Sequence, residues 1–357
     1  MKISRKIITL ILVTLIIFTL TSITQVNTFA SSSLNLNNRE ITNVAVIIHR
    51  LDDPYMMRLR ENLQNIEKDK QNNVKFTFFD AKNNIAIQNE ILDSALKSNY
   101  DLFILNLADK KENTVGDIMY KFNKKNMPVI LMNIPPEVVA KVYKLHDKDA
   151  FVAPDSKLAG TVEGKIIADL WKTNKEVIDK NGDDTLQYIL LEGKVDDPQA
   201  IVRTKYSIST INDSGIKTQQ LASIDANWLK DVAKSSIDNL LLKYDGNIEA
   251  IISNNDAMAI GAIEALQKYG YNKGDKSKNI AVVGIDGLPE AKDLIDKGLM
   301  TGTVIQDSEV LAKMLYTIGM NLIYNLNPTE NTNYEIVNGE IIIPYDYDIY
   351  TGKANKP

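Results

Sequence analysis

The sequence predicts an α/β protein of two doubly wound parallel-sheet lobes, and three observations predict it. Short β-branched runs are apolar throughout rather than alternating, as strands buried on both faces are. Stretches with apolar residues three and four apart separate these runs, which is the spacing of an amphipathic helix. The set occurs twice along a chain of 357 residues, a length that suits two domains better than one.

The elements follow in order. In MKISRKIITLILVTLIIFTL a basic start precedes an apolar core of signal-peptide length, and Thr28 and Ala30 place small residues where a signal peptidase reads. Residues 1–30 thus read as a signal peptide for export. An uncleaved anchor is the alternative, because Ile7 to Ile23 nearly spans a bilayer when tilted. VAVII (44–48), VKFTFF (74–79), LFILN (102–106) and PVILMN (128–133) are strands, with helices at 56–70, 85–98 and 115–125 between them. LQYILL (186–191), TQQLAS (218–223), EAIIS (249–253) and NIAVVGID (279–286) form the second set, each followed by a helical segment. Such βαβ repetition builds parallel sheets, whose ligands sit beyond the carboxyl ends of the strands.

Composition narrows the function. A net charge of −5, with Lys mixed among Asp and Glu, argues against a nucleic-acid partner. The chain has no cysteine, which removes disulfides, thiolate metal sites, thiol nucleophiles and a lipid-modified Cys after the signal. Its two histidines, His49 and His146, accompany no GxSxG elbow and no phosphate-cradling Gly-rich loop, and His49 reads as a structural or rim residue. Asp52 and Asp53 are adjacent on an extended segment and point to opposite sides, unlike a glycosidase pair. A binding protein rather than an enzyme is expected.

Polar residues collect where strands end: Asp53 and Tyr55 after the first, Asn106 at the third, Asn254, Asn255 and Asp256 after IIS, and Asp286. Singly, each suits a helix cap better than a ligand contact. Together with the guanidinium of Arg203 and the ring of Trp228 they offer acceptors, donors and aromatic faces, the mixture a sugar asks for. A second pattern is DKNGDDTLQ (179–187), with oxygen side chains at positions one, three, five, seven and nine, as a calcium loop of the EF-hand type begins. Leu190 stands at position twelve instead of the bidentate Glu. Either the segment is a solvated turn or a carboxylate comes from elsewhere.

DDPYM at Asp53, FILNLAD at Asn106, SNNDAMAIGAIEAL (253–266), VVGIDGLPEA (282–291) and GTVIQD (302–307) together resemble the galactose/glucose-binding proteins of bacterial ABC uptake systems. The resemblance implies a periplasmic-binding-protein type I fold whose lobes are joined by three crossings. It places residues 42–133 plus 307–338 in the N-terminal lobe and 134–306 plus 339–353 in the C-terminal lobe. It implies sugar contacts at Asp53, Asn106, Arg203, Asn255 and Asp286, with Trp228 and Tyr55 stacking. Tyr55 stands where the family usually has Phe. Asp197, Gln199 and Gln306 occupy positions where the family has His, Asp and Asn, a departure that retunes specificity. A glucose or galactose ligand is favoured by the retained contacts, and a pentose or a hexose derivative is the alternative. The resemblance also implies a structural Ca²⁺ held by Asp179, Asn181, Asp183, Gln187, the carbonyl of Thr185 and the remote Glu249. A monomer delivering a monosaccharide to an ABC permease is expected. The alternative is a membrane-associated sensor that docks on a chemoreceptor or sensor kinase.

Overall fold

The computed structural model describes residues 41–70, 73–143, 145–244 and 246–352. The leader at 1–30 lies outside them, and among the described residues no helix is long and apolar enough to cross a membrane. The first run of elements is β1 (Thr42–Ile48), α1 (Pro54–Asp69), β2 (Val74–Asp80), α2 (Ile85–Ala95), β3 (Leu102–Asn106), α3 (Glu112–Lys125), β4 (Val129–Met132), α4 (Pro136–Val142) and β5 (Asp149–Ala153). The second is α5 (Ser156–Ile178), β6 (Thr185–Glu192), α6 (Pro198–Asp213), β7 (Lys217–Asp225), α7 (Lys230–Tyr244), β8 (Ala250–Ser253), α8 (Asp256–Lys268), β9 (Ala281–Asp286), α9 (Pro289–Asp296) and β10 (Gly302–Ile305). α10 (Ser308–Ile323), β11 (Ile336–Val337), β12 (Glu340–Ile342) and β13 (Ile349–Tyr350) complete the chain.

Two sheets result, ordered β11-β12-β5-β4-β3-β1-β2 and β13-β10-β9-β8-β6-β7. Pairing is parallel except at β11–β12 and β10–β13. The central strands are apolar throughout because both faces are covered. In β1, Val44, Val46 and Ile48 pack with Leu59 and Leu63 of α1 and with Leu311 and Leu315 of α10. Ala45 and Ile47 face the other way, toward Leu92, Met119 and Phe122. Each such Val, Ile or Leu side chain contributes roughly 1.5–3 kcal/mol by leaving water.

Sheet membership corrects the lobe borders read from the sequence. Residues 149–153 belong to the first sheet, where β5 runs parallel to β4, so the first crossing follows Ala153 rather than Asn133. β12 pairs with β5 through Glu340↔Phe151, Ile341↔Val152 and Ile342↔Ala153, which keeps 340–342 in the first sheet too. The last crossing therefore lies between Ile342 and Ile349. The strand DAFVA escaped notice because it is short and follows the charged connection KLHDKD.

Within the second lobe, α5 lies against α6 at backbone distance. A side chain at Gly160 would collide with the carbonyl oxygen of Arg203, so only glycine allows the approach that seats Arg203. One turn along α5, Glu163 is fully buried behind Arg203. Burial pushes this carboxyl up to about 8, against the opposing pull of Ser207 and Arg203. A folded-state value above the ordinary 4.5 means that stability is intact below pH 4.5 and is lost as the pH rises through about 8. Glu163→Gln is expected to remove roughly 2–4 kcal/mol of that loss, measured by urea unfolding at pH 5 and pH 8.5. Parallel pH profiles for the variant and the parent would contradict this assignment.

Candidate functional site

All ten residues expected at the sugar site line one cavity of about 380 Å³ between the lobes: Asp53, Tyr55, Asn106, Asp197, Gln199, Arg203, Trp228, Asn255, Asp286 and Gln306. The volume is that of a small-molecule site. The fold brings them together because β1, β3, β8 and β9 all end at this crevice, each releasing polar residues where the hydrophobic run stops.

Several of these residues are helix caps as well as cavity residues. Asp53 caps α1, its Oδ1 accepting from the Met56 N–H at 3.0 Å while Oδ2 accepts from Arg50 at 3.4 Å. Asp197 caps α6 by accepting from the Gln199 N–H at 2.9 Å. Asn255 caps α8, its Oδ1 accepting from the Met258 N–H at 3.0 Å, which leaves the amide nitrogen as the group it can offer. Each cap is fixed by one oxygen, so the other end of the side chain is aimed without freedom to turn.

Arg203 is 4% exposed. It donates to the Asn254 carbonyl at 2.7 Å and to Gln306 Oε1 at 2.9 Å, and lies 5.6 Å from the ring centre of Trp228. Gly193 leaves the room the Trp228 indole occupies, since a Cβ there would enter the ring. Tyr55 and Tyr345 share a hydroxyl–hydroxyl hydrogen bond of 2.5 Å. Three buried polar atoms of this constellation have no partner among the described residues: Asn106 Oδ1, Arg203 Nε and Gln306 Nε2. Unpartnered buried groups are costly, and three that line one cavity can be satisfied together by a polar ligand.

The carboxylates are not equivalent. Burial raises Asp53, with the Met56 N–H and Arg50 opposing it. Asp286 is pushed well above the usual carboxylate range by burial and by neighbouring Asp256, against the attraction of Arg203. For Asp197 burial acts upward, but Lys110 outweighs it and holds the carboxyl below its ordinary value.

The cavity lining also includes residues not expected at the site from the sequence, among them His49, Arg50, Lys110 and Tyr345. His49 lines the cavity, and burial together with Lys110 and Arg50 brings its imidazole down to about 4, so it is neutral at pH 7. Arg50 donates to the Asn227 carbonyl of the other lobe at 3.3 Å. Lys110, in the loop after β3, pairs with Asp197 at 3.1 Å across the crevice. The only available signal was that HR and LADKK directly follow strands; Tyr345 lies in the final crossing and carried none.

The six residues expected to bind a metal are also gathered in one place. Glu249 is buried beside the loop, accepting from the N–H groups of Lys180 at 2.7 Å and Gln187 at 3.0 Å. Asp179 accepts from the N–H groups of Asp183 and Asp184, both at 3.1 Å, and Asp183 accepts from Asn181 at 3.1 Å and Gln187 at 2.8 Å. Thr185 opens β6, its N–H donating to Asp183 at 2.9 Å. Gln187 Oε1 is buried and without a partner among the described residues. Among those residues no three His, Cys, Asp or Glu side chains are close enough to hold a metal by themselves. A cation here would depend on the neutral donors Asn181, Gln187 and the Thr185 carbonyl as well as on the carboxylates.

Comparison with known proteins agrees with this geometry. A periplasmic binding protein domain is matched over residues 44–326. The D-galactose/methyl-galactoside binding periplasmic protein MglB of Haemophilus influenzae is 35% identical over 88% of this chain and 91% of its own length. The ribose import binding protein RbsB of Bacillus subtilis is 24% identical over 85% of this chain and 89% of its own. An ABC transporter periplasmic solute binding protein from Actinobacillus succinogenes, solved with bound D-allose, superposes with a TM-score of 0.69 at 19% identity, covering 86% of this chain and 96% of that one. One from Bacillus halodurans, solved with bound myo-inositol, gives 0.67 at 22% identity over 82% and 92%. With two parallel-sheet lobes around a polar cavity and a relative of this identity along nearly its full length, the chain belongs to the periplasmic binding proteins, a family of solute-binding proteins rather than enzymes.

Proposed function

We propose that this protein captures one neutral monosaccharide of the glucose or galactose type between its lobes and delivers it to an ABC importer on the outer face of the cytoplasmic membrane. The observation that carries the reading is the convergence of ten polar and aromatic residues, from both lobes and a crossing, on one cavity of about 380 Å³. Asp53, Tyr55 and Asn106 come from the first lobe, and Asp197, Arg203, Trp228, Asn255 and Asp286 from the second. A ligand touching both sets stabilises the closed arrangement by its differential affinity for it. Tyr55 and Trp228 cover C–H faces, Asp53 and Asp286 accept from hydroxyls, and Asn106, Asn255 and Arg203 fix orientation. The relative named for galactose supports a hexose more strongly than the ribose relative supports a pentose, by 35% identity against 24%. Relatives named for import favour delivery over the sensor alternative.

Calorimetric titration of the chain lacking residues 1–30 with D-glucose, D-galactose and D-xylose tests this. One-to-one binding of a hexose, tighter than that of xylose, is expected, because a site built for a hydroxyl discriminates against the analogue without it. Binding of none of the three would remove the sugar reading.

We also propose that the 179–187 loop with Glu249 holds a structural Ca²⁺. Asp179, Asn181, Asp183, Gln187, Glu249 and the Thr185 carbonyl are hard oxygen donors in the number this ion takes. The cation would neutralise the mutual repulsion of Asp179, Asp183 and Glu249, and Gln187 Oε1 is a buried acceptor ready to be used. Chelation is expected to lower the melting temperature by several degrees, an effect absent in Glu249→Gln. Superimposable melting curves with Ca²⁺ and with chelator would contradict the site.

A further inference from the structure

One end of the cavity contains an ion pair that neither lobe has alone. Lys110 Nζ lies 3.1 Å from Asp197 Oδ2, with side chains 18% and 11% exposed. Both residues line the cavity. Each oxygen of Asp197 has a partner: Oδ1 caps α6 and Oδ2 accepts from Lys110. Lys110 keeps two of the three N–H donors an ammonium carries, since Asp197 takes one. Asn106 ends β3 four residues before Lys110, and His49 directly follows Ile48, the register partner of Asn106 on β1, so the three line the same end of the cavity. There Asn106 Oδ1, on a side chain 2% exposed, has no partner in good hydrogen-bond geometry among the described residues, and even with the imidazole of His49 beside it one of its two lone pairs stays open.

We propose that Lys110 is a ligand-contacting specificity residue, held in position across the crevice by Asp197, and that it and Asn106 together select a neutral hydroxyl group. The inference deepens the sugar reading and rests on it. A spare donor beside a spare acceptor is satisfied by a group that both donates and accepts. A hydroxyl does so. An ammonium group cannot accept and meets the charge of Lys110; an ionised carboxylate cannot donate to Asn106 and meets the charge of Asp197. Because the pair forms only when the lobes meet, the donor is presented to the ligand in the closed arrangement and withdrawn on opening.

The test is a titration of D-galactose and D-glucose into the parent chain, Lys110→Met, and Lys110→Met combined with Asp197→Asn. The single variant is expected to lose on the order of 30-fold or more in hexose affinity. It also leaves a buried carboxylate unpaired, so the double variant carries the decision: it removes both charges, keeps the cap, and is expected to remain as weak as the single variant. Recovery of parental affinity in the double variant would mean that Lys110 serves only as a counter-ion, and would overturn the inference. Parental affinity in the single variant would do the same. Failure of the parent chain itself to bind either hexose would remove the sugar reading and this inference with it.

Discussion

The buried guanidinium of Arg203 is the feature on which the rest of the cleft depends. It is almost fully removed from water, yet its two close partners are neutral, a carbonyl and an amide. Asp286 on the cavity side and Glu163 behind lie near it at longer range, both raised by burial. The guanidinium pulls both acids toward the charged form, against burial that favours their protonated form. The arrangement is expensive for folding and well suited to recognition, because donors and acceptors are already desolvated and fixed before a ligand arrives.

That cluster requires two backbones to come close and two sheets to end at the same crevice. Gly160 provides the first condition by letting α6 approach α5. The parallel topology provides the second, since strands that run the same way release their polar residues at one edge. Helix capping then sharpens the result. Asp53, Asp197 and Asn255 are each tied to a helix N-terminus by one atom, so a structural bond that the helix needs anyway also sets the direction of a side chain that lines the cavity. Cap and cavity lining are thus the same residue used twice.

Much of this was legible in the sequence because it is local. The runs at 44–48, 102–106 and 281–286 are fully buried strands whose residues have no polar face to alternate with, and their terminal Asn and Asp are visible as interruptions. What escaped was decided by distant partners. DAFVA is a strand chiefly because β4 and β12 flank it, and neither neighbour is adjacent in sequence. Lys110 is indistinguishable from Lys111 in LADKK, and both line the cavity; only the placement of Asp197, 87 residues away, gives one of them an ion-pair partner across it. The gathering of Glu249 with the 179–187 loop came from family resemblance rather than spacing, which had left the twelfth position unfilled.

The central claim is that the interlobe cavity is a sugar site organised by Arg203. Titration of D-galactose into Arg203→Met, with folding checked by circular dichroism, tests it most directly. The account predicts one-to-one binding by the parent chain and a loss on the order of 30-fold or more in a variant that stays folded. Equal affinity in the two proteins would contradict it.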